Sequence, residues 1–332
     1  MGILQHLENH EILIVGDVMI DRYLTGSVNR ISPEAPVPVV LHHTTEDRLG
    51  GAANVALNIR ALGSIPVLCS IVGRDEAGNQ LKNSILSDNN ISSEGIVFSD
   101  TRRTTVKTRI LGNNQQMLRI DSEDTNNLNA AELESLLAKI RELLATRPIR
   151  AIILQDYNKG ILVPELIETV ISEARKAGIL TAVDPKKANF FAYRGADLFK
   201  PNLKEIRDSA PFAVQPTLES LQQASQFLRE RLENRLTMIT LSEKGLFLDD
   251  RTEAHLYPTV ARNVADVSGA GDTVISIATL ALVAGLPLET IATLSNLAGG
   301  QVCEFPGVVP VNCAILAAEL EQWKEENRVL GY

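Results

Sequence analysis

A run of small residues near the carboxyl end of the chain has the composition of an anion site at a helix start. Gly269, Ala270 and Gly271 come directly before Asp272 and an apolar run over residues 274–283, which is long enough for a buried helix. Small residues leave backbone N–H groups free to face an anion, and the helix dipole adds partial positive charge there. The sequence therefore predicts a phosphate-binding helix start.

Asp272 at this helix start has two open interpretations. A carboxylate is repelled by phosphate, but it can accept the proton of an alcohol that attacks the phosphorus. Aspartate at such a position also commonly caps the helix. The stretch alone leaves the catalytic base and the cap equally open.

A second cluster of small and polar residues forms a G-G-x-x-N group. Gly50 and Gly51 would let a ligand approach the backbone closely, and Asn54 offers a donor and an acceptor to sugar hydroxyls. A plain tight turn is the alternative. The sequence contains no G-x-x-x-x-G-K-[ST] loop and no G-x-G-x-x-G after its first strand, so phosphate must be bound in another way.

Asn202 and Glu205 form an N-x-x-E pair after a short predicted strand. Three residues apart at a helix start, both can face one side and hold Mg²⁺, usually through water, with nucleotide phosphates bound to the ion. The same spacing also satisfies a capping box. The pair alone does not separate a metal site from a cap.

Composition excludes several classes of protein. The 332 residues carry a net charge of −9 and are 45% apolar, which predicts a globular core and argues against a nucleic-acid or membrane partner. The cysteines show no C-x-x-C spacing and the histidines no H-x-x-x-H pair, so we expect reduced thiols and no zinc. We find no leader or membrane-spanning run and expect a cytoplasmic protein.

The elements that must position these residues follow an alternating pattern. Residues 11–15 form an apolar run ending at Gly16 and Asp17, typical of a buried parallel strand whose carboxyl end lies at a ligand site. The pattern predicts an α/β fold with a mostly parallel sheet covered by helices on both faces. Further strands are predicted at residues 66–72, 151–154, 180–183, 197–200 and 236–241, edge strands at 245–248 and 255–258, and helices at 75–87, 129–144, 164–177, 217–233, 272–284, 288–302 and 312–325.

Two segments break this alternation. Prolines exclude a helix from residues 20–45. Within this segment, apolar residues stand at every second position over residues 37–41, as in a half-exposed strand. β-rich runs within residues 101–121 flank a turn at residues 112–114. We expect these segments to form a small β-sheet lid, interleaved with the main body in a single domain over residues 1–332. Exposed β edges further predict a homodimer through the lid.

The D-x-x-G-A-G-D run over residues 266–272, together with the G-G-x-x-N group, resembles the paired signatures of ribokinase-type (PfkB) sugar kinases. The resemblance extends over nearly the whole chain and implies a ribokinase-like fold that uses ATP and Mg²⁺. It assigns Asp272 as the catalytic base and Gly269, Ala270 and Gly271 as the anion hole. It places ATP at Asn202, Leu203, Lys204, Glu205, Thr240, Ser242, Gly245 and Asn296.

Runs over residues 16–23 and 30–39 resemble the family branch that phosphorylates D-glycero-β-D-manno-heptose 7-phosphate at O1, a precursor step for ADP-heptose and the lipopolysaccharide core. Residues 114–121, 156–160 and 184–186 resemble it too. The substrate contacts expected from the residues and the resemblance are Asp17, Asp21, Gly50, Gly51, Asn54, Arg109, Arg119, Lys159 and Lys186. The cations among them could neutralise a substrate phosphate, although a solvated strand face is the alternative for the lid arginines.

The sequence departs from the family's pattern at some positions, and the resemblance leaves some properties open. Ser242 stands where the family's T-x-G-x-x-G loop has a glycine, and Ser268 where threonine is commoner. Many members of the branch continue into a nucleotidyltransferase domain with an H-x-G-H motif, which this sequence lacks, so we expect a single-function kinase. Some relatives bind a monovalent cation such as K⁺ near the position of Asp266 and the 303–307 loop. The alternatives are a kinase for another sugar or sugar phosphate and a catalytically silent sugar-binding regulator.

Overall fold

Strands and helices alternate along most of the chain, as the sequence predicts. A computed structural model describes residues 2–260 and 262–329. The strands are β1 (Glu11–Gly16), β2 (Val18–Ile31), β3 (Pro38–Gly51), β4 (Ile65–Gly73), β5 (Ser92–Ser99), β6 (Val106–Gly112), β7 (Gln115–Ser122), β8 (Ile149–Gln155), β9 (Leu180–Asp184), β10 (Leu198–Phe199), β11 (Leu236–Thr240), β12 (Leu246–Asp249) and β13 (Ala254–Tyr257). The helices are α1 (Ala52–Ala61), α2 (Glu76–Gln80), α3 (Leu86–Asp88), α4 (Ala130–Thr146), α5 (Pro164–Ala177), α6 (Leu203–Ser209), α7 (Leu218–Leu232), α8 (Ala270–Val283), α9 (Leu288–Cys303) and α10 (Cys313–Val329).

The larger sheet confirms the predicted α/β architecture. Within the described residues it has nine strands in the order β13-β12-β11-β10-β9-β8-β1-β4-β5. Its pairs from β5 through β11 are parallel, and β12 and β13 add an antiparallel edge, as expected. The carboxyl ends of the parallel strands lie at one edge, where open sheets bind ligands.

Apolar cores cover both faces of this sheet. Alternate residues of β1 point to opposite faces, so Ile12 and Ile14 join one core while Leu13 and Val15 join the other. The first core packs α1, α8, α9 and α10 against the sheet, and the second packs α4, α5, α6 and α7. The core helix α8 thereby brings its first turn to the carboxyl edge of the sheet. No helix in the described part of the chain is long and apolar enough to cross a bilayer.

A second sheet stands apart from the first, and we call it the small sheet. Its strand order is β3-β2-β6-β7, which confirms the predicted extra sheet. Asn113 and Asn114 form the β6–β7 turn with φ of +51° and +64°, the left-handed conformation that suits a two-residue hairpin. The sequence predicts a strand only over residues 37–41 in this part of the chain, whereas β2 and β3 are each 14 residues long.

Other boundaries differ in specific places. The predicted helix over residues 75–87 is α2 and α3 joined by a π-helical turn at Leu81–Ile85. The strand expected at residues 197–200 is only β10, Leu198–Phe199. Strand β5 was not predicted. A Cβ on its Gly95 would lie 2.2 Å from the Leu68 carbonyl oxygen, so the close approach of the two backbones requires glycine here. Glycine is uncommon in strands, and its presence weakens the sequence pattern that would predict one.

Candidate active site

The residues of the predicted anion site lie at the first turn of α8. Gly269, with φ of +82°, stands at the helix N-cap, and a Cβ there would lie 2.8 Å from the Asn54 side-chain nitrogen. Among the described residues, the backbone N–H groups of Gly271 and Asp272 have no hydrogen-bond partner, whereas Ala270 N–H donates to the Val267 carbonyl at 3.3 Å. Free N–H groups at this helix end can receive an anion.

Asp272 is buried, with 3% of its surface exposed, and its carboxylate accepts three hydrogen bonds. Asn54 Nδ2 donates to Oδ2 at 2.8 Å, while Gln155 Nε2 and Tyr157 Oη donate to Oδ1 at 3.0 and 2.7 Å. Burial raises the pKa of Asp272 to about 6, although the bonds from Asn54 and Tyr157 oppose this shift. No N-cap bond is made by a side chain at α8, so the geometry favours a base over a cap.

A network of charged side chains extends from Asp272 toward α6. Gln155 Nε2 also lies 3.2 Å from Asp184 Oδ2, and Lys200 Nζ lies 3.1 Å from the same oxygen. Burial disfavours the ionised form of Asp184, but the positive charges of Lys200 and Lys186 outweigh this effect and hold the pKa of Asp184 below its usual value. A Cβ on Gly271 would lie 3.7 Å from Lys200 Nζ, so this ammonium lies beside the first turn of α8.

Sequence reasoning missed part of this network. Gln155 and Lys200 were not singled out, and Tyr157 and Asp184 appeared only within runs that resemble the family branch. A detectable signal existed, because Gln155 and Asp184 end adjacent parallel strands at the ligand edge of the sheet. Lys200, which is 2% exposed, could have been found as a lysine placed directly after a buried strand.

Lys186 lies on the α6 side of the network. Its Nζ contacts Glu205 Oε1 at 2.6 Å and Asp184 Oδ1 at 3.7 Å. Burial opposes the charged ammonium, but these carboxylates raise the pKa of Lys186 above its usual value. The structure therefore places Lys186 with the N-x-x-E pair rather than with the cations of the small sheet.

Asn202 and Glu205 form the capping box that the spacing allowed. Asn202 Oδ1 accepts from Glu205 N–H, and Glu205 Oε2 accepts from Asn202 N–H, both at 2.8 Å. Among the described residues no group of three or more His, Cys, Asp or Glu side chains could hold a metal ion. One carboxylate bonded to a lysine fits Mg²⁺ arriving with nucleotide phosphates and held through water, rather than an all-protein cage.

Asp17, at the end of β1, is 1% exposed and binds a backbone loop. Its Oδ2 accepts from the N–H groups of Tyr157 and Lys159 at 2.7 and 3.1 Å, and its Oδ1 from Ile161 N–H at 3.2 Å. Burial and nearby Asp156 raise the pKa of Asp17 to about 6, and these three bonds oppose the shift. Asp17 thus holds the loop that carries Tyr157.

Asp21 and Arg109 meet on the face of the small sheet that contains Tyr23. Arg109 Nη1 lies 2.5 Å from Asp21 Oδ1, and its guanidinium carbon lies 5.3 Å from the centroid of the Tyr23 ring. A Cβ on Gly50 would lie 2.3 Å from Asp21 Oδ2, so glycine is needed there. Gly51, with φ of +60°, is the N-cap of α1, which carries Asn54.

The other two predicted substrate cations are ion-paired. Arg119 is 49% exposed and forms two hydrogen bonds with Asp121, at 2.9 and 3.0 Å, in agreement with the alternative of a solvated strand face. Lys159 Nζ contacts Glu123 at 2.7 Å. The structure brings Lys159 near the small sheet but leaves Arg119 on its exposed edge strand, β7.

The predicted nucleotide residues Thr240, Ser242 and Gly245 lie at the end of β11 and in the loop that follows it. Ser242 has φ of +55° and Gly245 φ of +89°. The position where the family's motif has glycine therefore has a left-handed backbone conformation. Serine adopts this conformation at a cost in free energy, because its Cβ disfavours it. A Cβ on Gly245 would lie 2.0 Å from the Tyr257 carbonyl oxygen, which makes a side chain at that position impossible without rearrangement.

Asn296, which the resemblance assigns to ATP, and the two glycines that follow it on α9 contact other parts of the protein. Asn296 Nδ2 donates to the carbonyls of Tyr257 and Pro258 at 3.0 and 3.2 Å. A Cβ on Gly299 would lie 2.9 Å from a Val274 methyl, and one on Gly300 would lie 2.6 Å from Arg262 Nε. The two glycines therefore allow α9 to pack closely against its neighbours.

The remaining candidates lie at the edges of this region. Lys204 is 81% exposed and pairs with Asp208 at 2.7 Å, while Leu203 next to it packs against the second core. Asp266 accepts from Ser268 N–H at 2.9 Å and from Gly307 N–H at 3.0 Å. The last contact joins the D-x-x-G-A-G-D segment to the 303–307 loop where the resemblance allows a monovalent cation.

Comparisons with known proteins agree with this geometry. The chain is 43% identical over 322 residues to the bifunctional protein HldE of Methylobacillus flagellatus, covering 96% of this chain and 65% of that protein. It is 39% identical over 313 residues to bifunctional protein HldE of Geotalea uraniireducens, covering 93% and 62%. The chain thus spans less than two thirds of the length of these relatives.

Solved structures share the fold. Phosphofructokinase-2 from Escherichia coli, in a complex with potassium, superposes with a TM-score of 0.75 at 21% identity, covering 94% of this chain and 99% of that one. Ribokinase from Arabidopsis thaliana, complexed with ribose and ATP, gives a TM-score of 0.70 at 17% identity, covering 93% and 99%. The predicted ribokinase-like fold is confirmed.

A family model described as pfkB family carbohydrate kinase matches residues 9–312. That range includes the G-G-x-x-N group, the N-x-x-E pair and the first turn of α8. The chain therefore belongs to the pfkB family of carbohydrate kinases.

Proposed function

We propose that this kinase transfers the γ-phosphoryl group of ATP to O1 of D-glycero-β-D-manno-heptose 7-phosphate, giving the 1,7-bisphosphate and ADP. The buried Asp272 carboxylate at the first turn of α8 carries the kinase assignment. The substrate rests on the runs at residues 16–23 and 30–39, and it is supported by the identity of 43% with a protein named HldE.

The proposed step uses Asp272, the N–H groups of the first turn of α8 and the lysines of the charged network. Asp272 takes the proton from the attacking sugar hydroxyl, a bond forms between that oxygen and the γ-phosphorus, and the bond to the ADP oxygen breaks. The N–H groups of Gly271 and Asp272, with Ala270 and Gly269 beside them, would receive the charge of the transferring phosphoryl group. Lys200 and Lys186 would add positive charge on the same side.

Nucleotide phosphates are assigned to the side of the network that contains Glu205. Asn202 and Glu205 would hold Mg²⁺ through water, and that ion would neutralise charge on the ATP phosphates. Thr240 ends β11, and Ser242 and Gly245 lie in the loop that follows it. The parallel bridge between Asn202 and Thr240 joins this segment to the start of α6. We further propose a monovalent cation such as K⁺ near Asp266.

The sugar phosphate is assigned to the space between α1 and the small sheet. Asp17, Asp21, Gly50, Gly51 and Asn54 would contact the sugar, with the small sheet acting as a lid within one domain over residues 1–332. Arg109 and Lys159 are the proposed partners of the substrate phosphate. Lys186 is reassigned to the nucleotide side because it pairs with Glu205 at 2.6 Å.

An ADP-release assay over a substrate panel tests the proposal. The panel contains heptose 7-phosphate, the unphosphorylated heptose, ribose, fructose and fructose 6-phosphate, each with Mg²⁺-ATP. We expect the highest kcat/KM for heptose 7-phosphate. Preference for a plain hexose or pentose would overturn the substrate, and sugar binding without ADP release would indicate the catalytically silent alternative.

A further inference from the structure

The Asp272 carboxylate has one position free for a substrate hydroxyl, and the structure shows which oxygen offers it. A carboxylate accepts about four hydrogen bonds, two on each oxygen. Oδ1 already accepts two, from Gln155 Nε2 at 3.0 Å and from Tyr157 Oη at 2.7 Å. Oδ2 accepts one, from Asn54 Nδ2 at 2.8 Å. The open position is therefore on Oδ2.

We propose that Tyr157 is a positioning residue for the phosphoryl transfer: with Gln155 it saturates Oδ1 of Asp272, so that Oδ2 beside Asn54 receives the proton of the sugar hydroxyl. This inference rests on the proposed role of Asp272 as the base. Asn54 follows the glycine pair at the start of α1, on the substrate side. Oδ1 faces Gln155, the last residue of β8.

Two contacts hold the residue Tyr157 in place, one at its backbone and one at its ring. Its backbone N–H donates to Asp17 Oδ2 at 2.7 Å, and the Lys186 ammonium lies 5.6 Å from the centroid of its ring. Burial and the nearby Asp272 carboxylate raise the pKa of Tyr157 well above its usual value. The phenol therefore stays protonated and donates to the carboxylate throughout the working pH range.

The other charged groups around Asp272 are fixed by their own partners. Asp184 on β9 disfavours the ionised form of Asp272, and Lys200 after β10 favours it. These two side chains pair with each other at 3.1 Å. From α1 the facing group is the neutral amide of Asn54. Loss of the Tyr157 hydroxyl would thus remove one donor to the carboxylate while these charges stay in place.

The test compares Tyr157→Phe with Tyr193→Phe. Both substitutions remove one buried phenol hydroxyl, but Tyr193 Oη donates to Asp156 Oδ2 at 2.8 Å rather than to Asp272. Removing a hydrogen bond to an ionised group raises the pKa of Asp272 by about one unit. The acidic limb of kcat/KM should move up by that amount in Tyr157→Phe and stay in place in Tyr193→Phe. We expect an unchanged KM for ATP.

A second readout does not require turnover. Carbon-13 NMR of the aspartate carboxyl carbons follows the titration of Asp272 directly, with Asp272→Asn identifying its resonance. A rise in the pKa of Asp272 confined to Tyr157→Phe supports the inference, even if heptose 7-phosphate is not the substrate. Equal pKa values in the wild type and Tyr157→Phe would overturn it, whatever the assay shows about the sugar.

Discussion

At the scale of single residues, the proposed phosphoryl transfer depends on a carboxylate that stays ionisable inside the protein. Asp272 is almost fully buried, yet Asn54, Gln155 and Tyr157 supply three donors to it. Burial alone disfavours the charged form and the donors oppose that effect. A base whose pKa is near the working pH combines an ionised state with enough basicity to take a proton.

Removing the carboxylate at position 272 tests the base directly. Asp272→Asn keeps the shape of the side chain but cannot accept the hydroxyl proton, so we expect kcat to fall by roughly 10²- to 10⁴-fold. Circular dichroism and thermal unfolding serve as controls for the fold. A folded variant with nearly normal kcat would show that another group is the base.

The pH profile follows from the same residue. In the proposed mechanism the ionised form of Asp272 is the active one, and burial raises the pKa of this carboxyl to about 6. As pH falls below that value the base becomes protonated, so kcat/KM should drop about tenfold per unit and should level off above it. Steady-state rates between pH 5 and 8 at constant ionic strength measure this limb, and an acidic limb near pH 4 would contradict the burial effect.

At the scale of elements, the N-x-x-E pair serves both as a cap and as part of the charged network. Glu205→Gln separates the two functions, because glutamine can also form a capping box but carries no charge for Lys186. We expect a folded variant with a slightly lowered melting temperature, because Asp184 remains beside the Lys186 ammonium. We also expect a 10- to 100-fold lower kcat/KM for Mg²⁺-ATP, the usual effect of losing an outer-sphere metal partner.

The chain supplies a matched control for this variant. Asn129 and Glu132 form the same capping box at α4, away from Lys186. Glu132→Gln should leave the kinetics with Mg²⁺-ATP unchanged. If Glu205→Gln behaves like Glu132→Gln in both assays, Glu205 only caps α6.

The loop after β11 contains a residue in a conformation that glycine would adopt more readily. Ser242 has φ of +55°, which disfavours any residue with a Cβ by about 1–2 kcal/mol, while added freedom of glycine in the unfolded chain offsets part of the gain. Ser242→Gly should therefore raise the unfolding free energy by up to about 1 kcal/mol. Urea denaturation measures it, and Ser242→Ala, which keeps the Cβ, should give no gain.

Sequence patterns predicted most elements because burial dictates them. The strands and helices of the large α/β body have continuous or 3.6-residue apolar patterns. Strand β2 was missed because its residues do not alternate: three apolar residues are followed by the polar pair Asp21 and Arg22, and Gly26 interrupts the run further along. Local spacing predicted the helix start that carries Asp272. The contacts of Gln155 with Asp272 and Asp184, and of Lys200 with Asp184, depend on which strands are neighbours in the sheet.

At the scale of the whole molecule, the small sheet leaves apolar side chains exposed. Leu118 and Ile120 on β7 are 54% and 51% exposed, and Leu41 on β3 is 61% exposed. β3 and β7 are the edge strands of this sheet. Edges with exposed apolar residues tend to find a partner, which supports the proposed homodimer through the lid.

Light scattering at micromolar concentration measures the assembly. We expect twice the chain mass for the wild type and the chain mass for a Leu118→Lys, Ile120→Lys double variant, because two charges on the edge strand prevent its pairing. Leu218→Lys is the matched control, since Leu218 is 41% exposed on α7, outside the small sheet, and should leave the mass unchanged. A wild-type mass of a single chain would exclude the dimer, and a dimer that survives the double variant would place the interface elsewhere.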